Sequence, residues 1–127
     1  MRYLLPIFAA LTLATACTNN DAVSPNGNIS GRYDLRTLNG SPLPYAINSR
    51  LSVTAEVLTL NSDGSYSDVA AYSDGTTFTE LGYYSVFNNA ITFQDQTDGI
   101  TYQGSISGDV LTEITGNGQF TAVYQRQ

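Results

Sequence analysis

The residues able to do chemistry in this chain are carboxylates, tyrosines and one thiol. Eleven Asp and Glu stand against five Arg; Lys, His and Trp are absent, nine residues are Tyr, and Cys17 is the single cysteine. Without His there is no imidazole base, so Ser-His-Asp and Cys-His nucleophile machinery is excluded. One Cys cannot supply a structural zinc site, which needs about four Cys and His ligands, nor can it close an intrachain disulfide. A formal charge of −6 with no cluster of basic residues argues against nucleic acid as a partner, because phosphate neutralisation is where that affinity comes from.

The carboxylates sort into two groups. Asp63, Asp74, Asp98 and Asp109 each lie beside a Gly, where Asp side chains bond nearby backbone and tolerate left-handed geometry. The run Asn61-Ser62-Asp63-Gly64 matches part of a calcium-binding loop, but Thr59 and Ala70 stand at its first and last ligand positions. The coordination number falls short, so no metal site is expected. Asp68, Glu80 and Glu113 fall instead within stretches that read as strands. Asp68 shares parity with Tyr66, Ala70 and Tyr72, and Glu80 shares parity with Phe78 and Tyr84. If that parity faces inward, the two acids meet in an interior that raises their pKa and permits acid–base work. If Val69, Ala71, Leu81, Tyr83 and Phe87 form the inner face, both acids are solvated. The cost of burying unpaired carboxylates favours the solvated reading. The chain is therefore read as a non-enzyme that needs no cofactor.

The elements that must position these residues are short alternating runs punctuated by Asp-Gly, Asn-Gly and Asn-Asn. No stretch after residue 30 shows a 3.6-residue apolar period with caps, so the expectation is all-β. Strands are expected at 31–38, 50–60, 65–72, 76–87, 90–94, 100–106, 110–115 and 120–126. In the second, Leu51, Val53, Ala55 and Val57 share one face before Leu58 and Leu60 take the other; this phase break signals a bulge or bend. Tight hairpin turns make neighbours antiparallel. With no Lys and no strand Pro to blunt an open edge, a closed sheet is favoured over a sandwich. The expected fold is an eight-stranded antiparallel up-and-down β-barrel.

Residues 1–16 have a different character. Arg2 is followed by an apolar stretch from Tyr3 to Leu13 and by the small residues Ala14-Thr15-Ala16 before Cys17. This is the layout of a cleaved signal peptide, and its apolar part is shorter than the roughly 20 residues needed to span a bilayer. The placement of Cys17 after Ala14-Thr15-Ala16 resembles the lipobox of bacterial lipoproteins. That resemblance implies lipidation of Cys17, and Thr18 after it implies sorting to the outer membrane. Residues 17–29 are small, polar or turn-forming apart from Val23 and Ile29, the composition of a tether. The expected organisation is a signal peptide at 1–16, a lipidated Cys and tether at 17–29, and one domain at 30–127.

Within that domain, Gly31-Arg32-Tyr33-Asp34-Leu35-Arg36-Thr37-Leu38-Asn39-Gly40-Ser41-Pro42-Leu43-Pro44, Leu58 to Tyr66, Gly82-Tyr83-Tyr84 and Tyr124-Gln125-Arg126 resemble small bacterial lipocalin-like lipoproteins. Lipocalins open on Gly-x-Trp with a last-strand basic residue over the ring. Gly31-x-Tyr33 and Arg126 occupy the corresponding ends here, which implies a cation–π contact. Together with the residue pattern, the resemblance leads to the expectation of a monomeric, membrane-anchored envelope protein that binds a small apolar ligand without catalysis. Tyr102, Ile106, Phe120 and Tyr124 are the candidate lining residues, because their strands have the clearest phase. The alternative is an envelope protein-interaction module with a filled barrel, using a sheet face or the 39–48 loop.

Overall fold

The computed structural model describes residues 29–115 and 118–127. The expected signal peptide, Cys17, the tether to residue 28 and the Gly116-Asn117 turn lie outside the described residues. The chain forms β1 (Gly31–Leu38), β2 (Ser41–Pro42), β3 (Tyr45–Ala46), β4 (Ser52–Leu60), β5 (Ser65–Tyr72), β6 (Thr77–Phe87), β7 (Ala90–Asp95), β8 (Thr101–Ser107), β9 (Val110–Thr115) and β10 (Phe120–Arg126). All eight expected strands are present. The two-residue β2 and β3 are additions within the loop after Leu38.

Strands β4 to β10 pair antiparallel in succession, β10 pairs with β1, and β1 pairs with β4 from Gly31↔Leu60 to Asp34↔Val57. The fold is therefore the expected closed, all-β, eight-stranded antiparallel barrel, with β2 and β3 as short flaps beside β1 and β4. Turn chemistry supports the meander. Asp63 Oδ1 accepts from the backbone N–H and hydroxyl of Ser65 at 2.9 and 2.7 Å. Asp74 Oδ1 does the same with Thr76 at 3.0 and 2.6 Å. Each carboxylate precedes a Gly at positive φ, 93° for Gly64 and 87° for Gly75, a conformation only Gly adopts at little cost.

The phase break in β4 is real but lies earlier than the apolar pattern suggests. Register jumps between Val53↔Tyr72 and Ala55↔Ala71, leaving Thr54 as the extra residue. Its hydroxyl bonds the Ala71 carbonyl at 3.1 Å. Val53 is inside, and from the bulge onward Glu56, Leu58 and Leu60 share the inner parity. The sequence reading put Ala55 and Val57 on the face of Val53; the bulge instead turns Glu56 inward. The apolar pattern missed this because Ala55 and Val57 still alternate with Val53 in the sequence, as if no residue had been inserted.

The interior divides along the barrel axis. The end bounded by the β4–β5, β6–β7 and β8–β9 turns is filled by Tyr33, Leu58, Leu60, Ile91, Phe93 and Leu111, all essentially inaccessible to solvent. Tyr84 donates to the Asn61 carbonyl at 2.6 Å beside this core. Tyr33 and Arg126 are register partners. The Arg126 guanidinium carbon lies 5.5 Å from the Tyr33 ring centroid, and its Nε donates to the Tyr33 hydroxyl at 3.2 Å. This is the contact expected from the two ends of the domain.

Gly82 is held to its identity by crowding. A Cβ there would lie 2.1 Å from the Gln94 carbonyl oxygen and 2.8 Å from Tyr66 Cε1. Gly82→Ala must shift backbone or ring, and overpacking of this kind costs about 1–3 kcal/mol. Its thermal midpoint should fall well below that of the parent in parallel melts, and an unchanged midpoint would contradict the crowding.

Candidate functional site

The opposite end of the barrel is built differently. Segments 39–51, 73–76, 96–100 and 118–119 lie at this end, where an open cavity of about 230 Å³ enters the barrel. Its rim carries the partly exposed apolar side chains of Ile47, Phe78 and Ile100, together with Phe120, which meets Tyr45 edge-on at 6.5 Å between centroids. Below the rim lie Glu56 from β4, Asp68 from β5, Glu80 from β6 and Glu113 from β9, with Tyr102 from β8 and Tyr124 from β10. No basic side chain lines it among the described residues.

The solvated reading of Asp68 and Glu80 is overturned. Asp68 is buried and faces its register partner Glu80, which is only half-buried but has its carboxylate inside. The parity of Tyr66, Asp68, Ala70 and Tyr72 is the inner one; Val69, Leu81, Tyr83 and Phe87 are exposed on the outer wall. The cost of burial that argued otherwise is reduced by tyrosine hydroxyls. Tyr66 donates to Glu80 Oε2 at 2.7 Å, and Tyr102 donates to the same oxygen. Tyr124 donates to Glu56 Oε2 at 2.8 Å and reaches Asp68 Oδ2 at 3.5 Å. A phenol supplies a donor without bringing a charge.

These bonds leave part of the acidic set unserved. Asp68 Oδ1 and Glu113 Oε2 have no hydrogen-bond partner, and both residues are at least nine-tenths buried. Burial, then the charge and hydrogen bond of Glu56 and the charges of Glu113 and Glu80, push the Asp68 carboxyl well above the usual range. Burial, then Glu56 and Glu80, push Glu113 up to about 8. Glu80 is also raised by burial, although the Tyr102 and Tyr66 hydroxyls oppose the shift.

Of the residues expected to line a pocket, Tyr102, Phe120 and Tyr124 meet at this cavity. Ile106 does not; it is buried in the core nearer the filled end. Cys17 lies outside the described residues. Sequence reasoning missed Glu56 altogether, and Glu113 as a member of the set. Glu113 was legible in principle, since it alternates with Leu111, a strongly apolar position. Glu56 alternates with Leu58 and Leu60, but its facing depends on where the bulge falls.

One group among the described residues has metal-compatible spacing: Glu80, Asp95 and Asp98 bring carboxylate oxygens within 4.8 Å of one another. The fit is poor. Asp95 Oδ1 already accepts from the Thr97 and Asp98 amides, and Glu80 Oε2 accepts from two tyrosines. The remaining oxygens fall short of the six to eight that calcium takes. A separate depression of about 670 Å³ lies along β8 and β9, lined mainly by outward residues such as Gln103, Ser105, Thr112 and Ile114. No carboxylate lines it.

Comparison with protein-family models, with curated proteins and with solved structures finds no match to this chain.

The raised acids make stability depend on pH with a definite sign. Glu113 keeps its proton to about pH 8 when folded, against an ordinary value of 4.5. Between those values the folded state binds more protons than the unfolded one, so this stabilisation is complete below about pH 4.5 and is lost as pH rises through 8. The melting midpoint should drop by several degrees between pH 5 and pH 8.5, at about 4–8 °C per kcal/mol for a domain of this size. Glu113→Gln should flatten that dependence. Equal midpoints for the parent at both pH values would contradict burial of these acids.

Proposed function

We propose that this is an exported, lipid-anchored protein of the bacterial envelope, held at the outer membrane through Cys17. Its lipocalin-like barrel acts as a monomeric, non-catalytic binding module that receives a small molecule with an apolar body through its open end. The anchoring rests on the order Arg2, apolar stretch, Ala14-Thr15-Ala16, Cys17. One acyl chain binds membranes marginally, whereas two or more give a stable anchor at about 0.8 kcal/mol per buried CH₂.

The observation that carries the binding reading is the half-filled barrel: a packed apolar floor under a cavity with an apolar rim. At about 230 Å³ it is below the roughly 300–1,000 Å³ usual for ligand pockets. It has room for roughly eight water-sized groups of about 30 Å³, which suits a small metabolite. A protein-interaction module is the second reading, favoured by the exposed Leu81, Tyr83 and Phe87 on the outer face of β6. The facing of Asp68 and Glu80 meets one geometric requirement of acid–base catalysis. Binding is preferred because the lining sets its four carboxylates only among tyrosines, Thr115 and apolar side chains.

Cys17→Ser should leave the barrel folded and move the protein from the membrane fraction to the soluble fraction; retention in membranes would contradict the anchor. Native mass spectrometry of protein from its own host should show a small-molecule adduct that Ala122→Phe, at a cavity-lining position, removes while circular dichroism still reports β structure. Repeated purification without an adduct would favour the interaction module.

A further inference from the structure

We propose that the ligand of the barrel mouth is an organic cation, a small primary amine carrying an apolar body, whose ammonium sits among Glu56, Asp68, Glu80 and Glu113. This rests on the reading of the mouth as a binding cavity and names the chemistry that the cavity selects.

The first support is the unpartnered lining. Asp68 and Glu113 are lining residues of the cavity, nine-tenths or more buried, and Asp68 Oδ1 and Glu113 Oε2 accept no hydrogen bond from the described residues. A buried acceptor left unpaired carries its full desolvation penalty. The chain has no Lys or His to place opposite them, and none of the described Arg residues lines the cavity. The tyrosines cannot finish the task, because the Tyr66 and Tyr102 hydroxyls are committed to Glu80 and the Tyr124 hydroxyl to Glu56. An ammonium brings three donors and the missing positive charge together.

The second support separates an amine from a metal ion. Among the described residues, the only three carboxylates whose oxygens converge within 4.8 Å are Glu80, Asp95 and Asp98. Glu56, Asp68 and Glu113 do not converge on one point; they come from β4, β5 and β9 around a cavity. Dispersed acceptors suit a donor group with several N–H vectors better than a bare ion that draws its oxygens to about 2.3–2.6 Å. The rim completes the match. Ile47, Ile100, Phe78 and Phe120 offer apolar cover for a hydrocarbon body, and the aromatic faces attract a cation that passes them.

Proton linkage follows from the same geometry. The ionisable groups around the ammonium are Glu56 on β4, Asp68 and Tyr72 on β5, Glu80 on β6, Tyr102 on β8, Glu113 on β9 and Tyr124 on β10, with Tyr66 on β5 bonded to Glu80 from behind the lining. Asp95 on β7 and Asp98 beyond it act on Glu80, and β1 contributes the uncharged Leu38. Burial and mutual repulsion keep Asp68 and Glu113 protonated to unusually high pH. Binding the amine therefore displaces protons, and affinity rises as the pH approaches 8.

The test is calorimetric titration of the purified protein with 2-phenylethylamine and with its neutral counterpart 2-phenylethanol. At pH 8 the amine should bind at least tenfold more tightly. The preference should shrink at pH 5.5, and at pH 7 the heat should vary with the ionisation enthalpy of the buffer. The paired change Asp68→Asn with Glu113→Gln replaces each acid by a near-isostere and should abolish the preference. Equal affinity for the two probes would overturn the cation assignment while leaving the cavity reading standing. Failure of both probes to bind folded protein would overturn both. An amine preference that survives the paired change and does not respond to pH would overturn the assignment to these carboxylates.

Discussion

The ladder between β1 and β4, four residue pairs from Gly31↔Leu60 to Asp34↔Val57, is the constraint from which the rest of this protein follows. It joins the first strand of the domain to the second barrel strand, after the meander from β4 to β10 has already brought β10 beside β1. Once the ring is closed, each of the eight barrel strands has a partner on both sides, and only the two-residue β2 and β3 lie at an edge. Every inward position is then committed to a lumen that, with eight strands, is only just wide enough to be filled by side chains. An open sheet could twist a carboxylate towards water. A closed one cannot, so Glu56, Asp68, Glu80 and Glu113 must be accommodated where the alternation puts them.

Accommodation takes the form of a division of labour along the axis. The filled end buries Tyr33, Leu58, Leu60, Ile91, Phe93 and Leu111, and apolar burial of this kind contributes about 25 cal/mol per Å². Stabilisation there offsets the strain of acids at the other end. None of the described Arg residues lines the cavity: Arg126 is engaged at the filled end with Tyr33 and, at 3.9 Å, with the exposed Asp109. Phenols take the place of bases at the mouth. Such an interior is incomplete by itself, and that incompleteness is the strongest functional signal in the molecule.

Much of the architecture was legible in the residues. The Asp-Gly and Asn-Asn turns, the alternation of Tyr102, Gly104 and Ile106, and that of Phe120, Ala122 and Tyr124 marked strands and facing correctly, because apolar residues at one parity leave no ambiguity. The site was legible only in part. On β5 and β6 both faces carry apolar or aromatic residues, so Tyr66 and Ala70 could not be ranked above Val69 and Ala71. The cost of burying a carboxylate then tipped the reading outward. The error was to treat Asp68 and Glu80 as unpaired, when their donors arrive from β5, β8 and β10 across distances of 14 to 56 residues. Glu56 was hidden for a different reason: a bulge at Thr54 changes the phase of everything after it, and Thr is no marker of bulges.

The tyrosines that hold these acids also give the barrel an optical identity. With no Trp in the chain, its near-ultraviolet emission belongs to tyrosine alone. Tyr66, Tyr102 and Tyr124 each direct a phenolic proton at a carboxylate oxygen. An excited phenol is a far stronger acid than one in its ground state, so a carboxylate in this position is a ready proton acceptor and a quencher of ordinary tyrosine light. Anything that draws those carboxylates away from the hydroxyls alters the emission. The mouth of the barrel therefore carries its own reporter, with no label to attach.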